Sequence, residues 1–170
     1  MEMSHGNLFH PGEPVSAFPI RAATAADLET LTALRQEYCP QDGVVFDPKR
    51  NRAGLLRLLA DPTVGRLWLA EDGGVAAGYV CLCTGYSLEF GRDAFVDELY
   101  VREPQRRRGV GRALLETAIA ACPGMGVDAL HLLVAPGNSR ARRMYDHRGF
   151  AEEDRRILTL WIAPRPVPGR

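Results

Sequence analysis

Residues 100–118 read YVREPQRRRGVGRALLETA, and the fold turns on this stretch. Tyr100 and Val101 close the run DAFVDELYV (93–101), whose β-branched and aromatic content is of strand type. Downstream, Leu114, Leu115, Ala118, Ile119 and Cys122 share one stripe of an amphipathic helix. Between the two, residues 105–111 hold three consecutive arginines and two glycines one residue apart. A helix start presents unpaired main-chain N–H groups and the positive end of the macrodipole, and both favour an anion. Gly109 and Gly111 would let a ligand approach the main chain, and Arg106, Arg107, Arg108 and Arg112 surround that point with charge suited to paired phosphate contacts. Two readings compete: a seat for a phosphate-bearing ligand, or a solvated basic turn.

The rest of the chain frames this strand–loop–helix unit. ALHLLVA (129–135) predicts a buried strand; with a helix between it and the strand before, the two run parallel. NSRARRMYDHRGF (138–150) predicts a helix with Asn138 at the cap, Ala141, Met144 and Tyr145 on one face, and Gly149–Phe150 as a Schellman-type end. RRILTLWI (155–162) predicts a last strand. Upstream, Thr24 and Asp27 form a capping box before a helix carrying Leu28, Leu31, Leu34 and Tyr38. Asp47 caps a second helix whose first residue is Pro48, and Asp61–Pro62 stops it. Alternating runs on both sides of Asp72–Gly73–Gly74 predict a hairpin. The order is that of an α/β domain: a mixed, mostly antiparallel sheet flanked by helices.

At 170 residues, with 46% apolar and 25% charged residues, the chain suits one globular domain. We expect it over 20–163, between a loose arm (1–19) and a proline-rich tail (164–170). Basic and acidic residues balance at 21 each, so nothing draws the whole molecule to nucleic acid or to an anionic membrane. No apolar run approaches a membrane span, and no secretory leader is visible, so a cytoplasmic setting with reduced thiols is expected. Cys39, Cys81, Cys83 and Cys122 lack the C-x-x-C spacing of a zinc site, and no metal is expected; Cys81 and Cys83 share one face of a strand as small hydrophobes.

The loop is not a P-loop, because no Lys-Ser/Thr pair follows its glycines. It starts like a dinucleotide fingerprint, with Asp128 near the place of a ribose-binding acid. Leu114 occupies the third small position, however, and the antiparallel strands upstream do not suit a doubly wound sheet. Arg106-x-x-Gly109-x-Gly111, after a strand and opening a helix, resembles the acetyl-coenzyme A signature of the GNAT N-acetyltransferase superfamily. Asn138, Ala141, Tyr145 and Gly149–Phe150 are similar to that family's second signature helix, and the order of elements fits from Ile20 to Ala163.

The resemblance implies a splayed parallel strand pair with the pantetheine arm of acetyl-CoA between its strands. It assigns the pyrophosphate to the main chain of Arg106, Arg107, Arg108, Gly109, Val110, Gly111 and Arg112. Leu99, Tyr100 and Val101 would line the thioester arm, with Asn138, Arg142 and Tyr145 also at the coenzyme; Asn138 is equally a plain N-cap. Tyr145 would be the general acid for the departing thiolate. An alkylammonium is neutral only about once in a few thousand molecules at pH 7, so the reaction also needs a base. Asp97 and Glu98 are the candidates, and a regular strand would turn only one of them toward the substrate unless a bulge intervenes. Tyr38, Phe46 and Glu98 are the expected acceptor contacts, for a small cationic amine. A homodimer is allowed by analogy alone, and a CoA-binding or sensing module without catalysis is the alternative function.

Overall fold

The computed structural model describes residues 18–162, so the expected arm, through residue 17, and the tail from 164 lie outside it. Five strands form one sheet in sequence order: β1 (Ile20–Ala22), β2 (Gly65–Asp72), β3 (Val75–Ser87), β4 (Gly91–Val101) and β5 (Ala129–Leu132). Neighbours pair antiparallel except β4 and β5, which are parallel, as a helical crossover requires. At the β2–β3 turn Gly73 and Gly74 have φ of 58° and 79°, the pair of positive angles that a tight two-residue hairpin demands.

Strand alternation sends two apolar sets to opposite faces of the sheet. Trp68, Ala70, Val80, Leu82 and Val96 meet Val110, Leu114, Leu115 and Ala118 of α3 (Val110–Ala121). On the other face Leu67, Leu69, Tyr79, Cys81 and Tyr100 meet α1 (Leu28–Gln41) and α2 (Pro48–Ala60) through Leu28, Leu31, Leu34 and Leu55. The Asp47 carboxylate caps α2 by accepting from the N–H groups of Lys49 and Arg50. α4 (Ser139–Asp146) ends in a full Schellman motif: Gly149 has φ 84°, its N–H donates to Asp146 O, and Phe150 N–H donates to Tyr145 O.

The strand expected over 155–162 does not form. Arg155 instead donates to both carboxylate oxygens of Glu89 at 2.7 and 2.8 Å, and Trp161 reaches a hollow beside α1 lined by Arg35, Phe46 and Arg50. The alternation of Leu158, Leu160 and Ile162 satisfied the strand pattern, but a pattern supplies no pairing partner, and all three are exposed.

Candidate active site

β5 accompanies β4 only from Asp93 to Val96. Beyond that point no strand among the described residues lies on this side of β4, so residues 97–101 have an open edge. The opening follows from how the chain leaves Leu132: β5 ends there, and the next residues turn toward α4 rather than along β4. Leu99, Val101, Val110, Leu132 and Tyr145 belong to one apolar cluster on the α3 side of this edge.

The loop between β4 and α3 has an unusual main chain. Arg107, at φ 64°, is the only non-glycine residue with positive φ among the described residues, and Gly109, the N-cap of α3, has φ 90°. Left-handed residues interleaved in this way turn successive N–H groups toward a common concavity. Among the described residues, no acceptor meets the main-chain N–H groups from Arg107 to Arg112. A Cβ built on Gly109 would touch nothing within 4 Å, so the space before the helix is open. Gly111 is tighter, with Val101 Cγ2 at 3.4 Å from such a Cβ.

The arginines are largely engaged elsewhere. Arg106 donates to Val101 O at 2.9 Å and to Gln41, and its guanidinium lies 5.9 Å from the Tyr100 ring. Arg108 pairs with Asp72 and lies over Phe18, while Arg112 pairs with Glu116. Only Arg107 of this group is without a side-chain partner among the described residues. The anion-seeking groups here are thus the main-chain amides. Arg142 pairs with Glu152. Asn138 caps α4 by accepting from Ala141 N–H at 3.1 Å. Tyr145 packs edge-on against Phe150, centroids 5.8 Å apart; its hydroxyl has no partner among the described residues, and burial raises its pKa.

On the α1 and α2 side, a bulge decides the placement of the acidic pair. Cys81 lies opposite Glu98 and Leu82 opposite Val96, so Asp97 is the extra residue in the β3–β4 ladder. Parity slips by one as a result: Val96 faces α3, and so do Leu99 and Val101. Asp97 and Glu98 therefore both reach the α1 side. Their surroundings differ. Glu98 binds Arg35 through both oxygens and accepts from the Tyr79 hydroxyl at 2.6 Å. Arg35 continues to Asn51 at 2.9 Å, and buried Asn51 to Thr32 at 3.2 Å, which ties α1 and α2 to the sheet. No hydrogen-bond donor among the described residues reaches Asp97, and burial, then the Glu98 charge, raises its pKa against the pull of Arg35.

Tyr38 donates to Asp42 at 2.9 Å and packs 5.9 Å from Tyr100, which is buried beneath α1. Phe46 lies apart from these, in the hollow that Trp161 reaches. Sequence reading missed Arg35 and Asn51. The available signal was a charged side chain four residues from Leu31, on the stripe that otherwise faces the sheet. It also missed Phe95 and His131, cross-strand partners whose rings are 5.2 Å apart on the face that carries Asp97.

The comparisons agree with this geometry. Residues 31–150 match the model of the Acetyltransferase (GNAT) family. The chain is similar to a mycothiol acetyltransferase of Beutenbergia cavernae, 39% identical over 53% of this chain but only 29% of that protein. It is also similar to a D-amino-acid N-acetyltransferase, HPA3, of Saccharomyces cerevisiae, 29% identical over 74% of this chain and 80% of that one. Among solved structures, an integron cassette protein from a Cole Harbour Salt Marsh metagenome superposes with a TM-score of 0.77, at 32% identity over 87% of this chain and 92% of that one. AAC(6')-Iy, solved with a bisubstrate analogue of CoA, shares the fold at a TM-score of 0.74 and 20% identity, covering 87% of this chain and all of that one. With a family model spanning most of the folded unit and the open-edged β4 leading into the glycine-rich start of α3, the chain belongs to the GNAT family of acetyltransferases.

Proposed function

We propose that the protein transfers an acetyl group from acetyl-CoA to a primary amine of a small cationic molecule. The observation that carries this reading is the run of main-chain N–H groups from Arg107 to Arg112 that meet no acceptor among the described residues, set beside the open edge of β4. A diphosphate fits such a run: the N–H groups bind oxygen, the macrodipole adds positive potential, and Gly109 leaves the approach clear. The open edge of residues 97–101 suits an amide-bearing arm, because unpaired strand groups need partners. Acetyl-CoA, once bound, supplies an activated thioester.

Asp97 is the proposed base. Its carboxylate meets no donor among the described residues and has a raised pKa, which makes it a better proton acceptor than an ordinary aspartate. Before reaction the same carboxylate attracts the substrate ammonium, which supports a cationic acceptor. Glu98, held by Arg35 and Tyr79, keeps α1 and the acceptor side in register with the sheet. Tyr145, whose hydroxyl has no partner among the described residues and whose pKa is raised by burial, stays protonated and can deliver a proton to the leaving sulfur. Relatives named for small molecules support an acceptor of that class.

Calorimetry with acetyl-CoA, followed by thiol release across a panel of amines, tests the proposal. Saturable binding with turnover of at least one cationic amine is expected. Folded protein that binds no acyl-CoA would overturn it, and tight binding without turnover would leave only a CoA-binding module.

A further inference from the structure

We infer that Cys81, Cys83 and Asp97 form a three-ligand site for a thiophilic divalent cation, of which zinc is the best fit. The two cysteines, two residues apart on β3, face the same side, opposite Glu98 and Phe95 of β4. Asp97 belongs to neither pair. The bulge lifts it out of the ladder, and its carboxylate comes to lie near both thiols, with all three ligand atoms within 4.8 Å of one another. A tetrahedral zinc with bonds of about 2.3 Å to sulfur sets its ligands about 3.8 Å apart, so closure needs only a small side-chain adjustment. Both cysteines are free thiols, Cys81 buried and Cys83 half-buried; Asp97 is exposed on one side, although the surrounding protein still desolvates its carboxyl in part. The site therefore has a closed floor and one accessible side.

The chemistry of the donors selects the ion. Two thiolates and a carboxylate favour zinc over magnesium or calcium, which take oxygen ligands. Binding displaces one proton from each thiol and leaves the fourth position to water or another ligand. Because Asp97 meets no competing donor among the described residues, the ion breaks no hydrogen bond between them and that carboxylate. The search for C-x-x-C spacing could not find this set, since its third member comes from the neighbouring strand. On the reading of Asp97 as base, an ion here removes the proton acceptor, so zinc and the amine substrate exclude one another.

Cobalt titration of the reduced full-length protein tests the site without any reference to acetyl transfer. A thiolate-to-cobalt charge-transfer band saturating at one equivalent, and abolished by one equivalent of zinc, is expected. Cys83→Ser and Asp97→Asn should each weaken cobalt binding at least about tenfold. Cys122→Ser on α3 should leave it unchanged, since a serine keeps the bond to Ala118 O. No band, or a band that survives Cys83→Ser and Asp97→Asn, overturns the inference whether or not the protein acetylates an amine. In turnover assays zinc should raise the apparent KM for the amine; zinc that binds at these residues and leaves turnover intact would overturn the exclusion.

Discussion

Asp97→Asn and Glu98→Gln separate the two members of the acidic pair, because the bulge gives them different surroundings and the proposed function gives them different roles. Glu98 is held by two side chains, Arg35 of α1 and Tyr79 of β3, and its side chain is 11% exposed against 23% for Arg35. Glu98→Gln leaves the Arg35 cation without its counter-charge. Breaking a fully buried pair costs about 3–5 kcal/mol, which partial exposure of Arg35 lowers to about 2–3 kcal/mol. For a domain of this size that is a fall in Tm of roughly 5–10 °C. Asp97→Asn acts in the opposite direction. A carboxyl whose folded pKa is raised contributes its stability at low pH and loses it as pH rises through the folded value. The wild type thus bears the burial cost of an ionised Asp97 at neutral pH, and the variant does not. Its Tm should exceed wild type only above the ordinary value of 3.8, with the full gain above the raised one.

Activity should invert the order. Loss of a general base costs about 10²–10⁴ in kcat, so Asp97→Asn should fall in that range, whereas Glu98→Gln, assayed well below its Tm, should lose less than about tenfold. The wild-type pH profile of kcat/KM should rise through a limb above the usual carboxylate range, and Asp97→Asn should lack that limb. Thermal unfolding, steady-state thiol release and acetyl-CoA calorimetry on the same samples give all the readings. The reasoning is refuted if Glu98→Gln loses more kcat than Asp97→Asn while folded, or if Asp97→Asn lowers Tm at pH 7.

Tyr145→Phe should lower kcat with little change in acetyl-CoA affinity, since it removes a hydroxyl that has no partner among the described residues and keeps the ring against Phe150; calorimetry beside kinetics checks the split. Gly109→Ala places a methyl in open space at φ 90°, so it should cost only about 1–2 kcal/mol of stability yet weaken acetyl-CoA binding more than tenfold, measured by thermal unfolding and calorimetry. Asp27, paired with Arg21 and lowered to about 2, contributes stability that is present above its ordinary 3.8 and lost as pH falls through about 2. Discounted for the half-exposed Arg21, Asp27→Asn should cost about 1–2 kcal/mol at pH 7 and flatten the acid limb of a Tm-against-pH curve.

Local rules were enough for much of this protein, because the signals in question act over a few residues. The Gly73–Gly74 hairpin, the Asp47 cap, the Schellman end at Gly149 and the α3 stripe all depend on neighbours in the chain, and each was legible there. So were the parallel β4–β5 step and the glycine-rich start of α3, since a helix between two strands dictates the first and backbone freedom the second. Tertiary structure alone decided the rest. Whether Arg155–Ile162 becomes a strand depends on a pairing partner, and contacts with Glu89 and the α1 hollow took the segment elsewhere. The roles of Asp97 and Glu98 depend on one register slip opposite Cys81 and Leu82, which an alternating pattern cannot announce. That slip turned adjacent acids to one face and set them among residues of α1 and β3, and long-range packing of that kind sets which carboxylate is held and which meets no donor among the described residues.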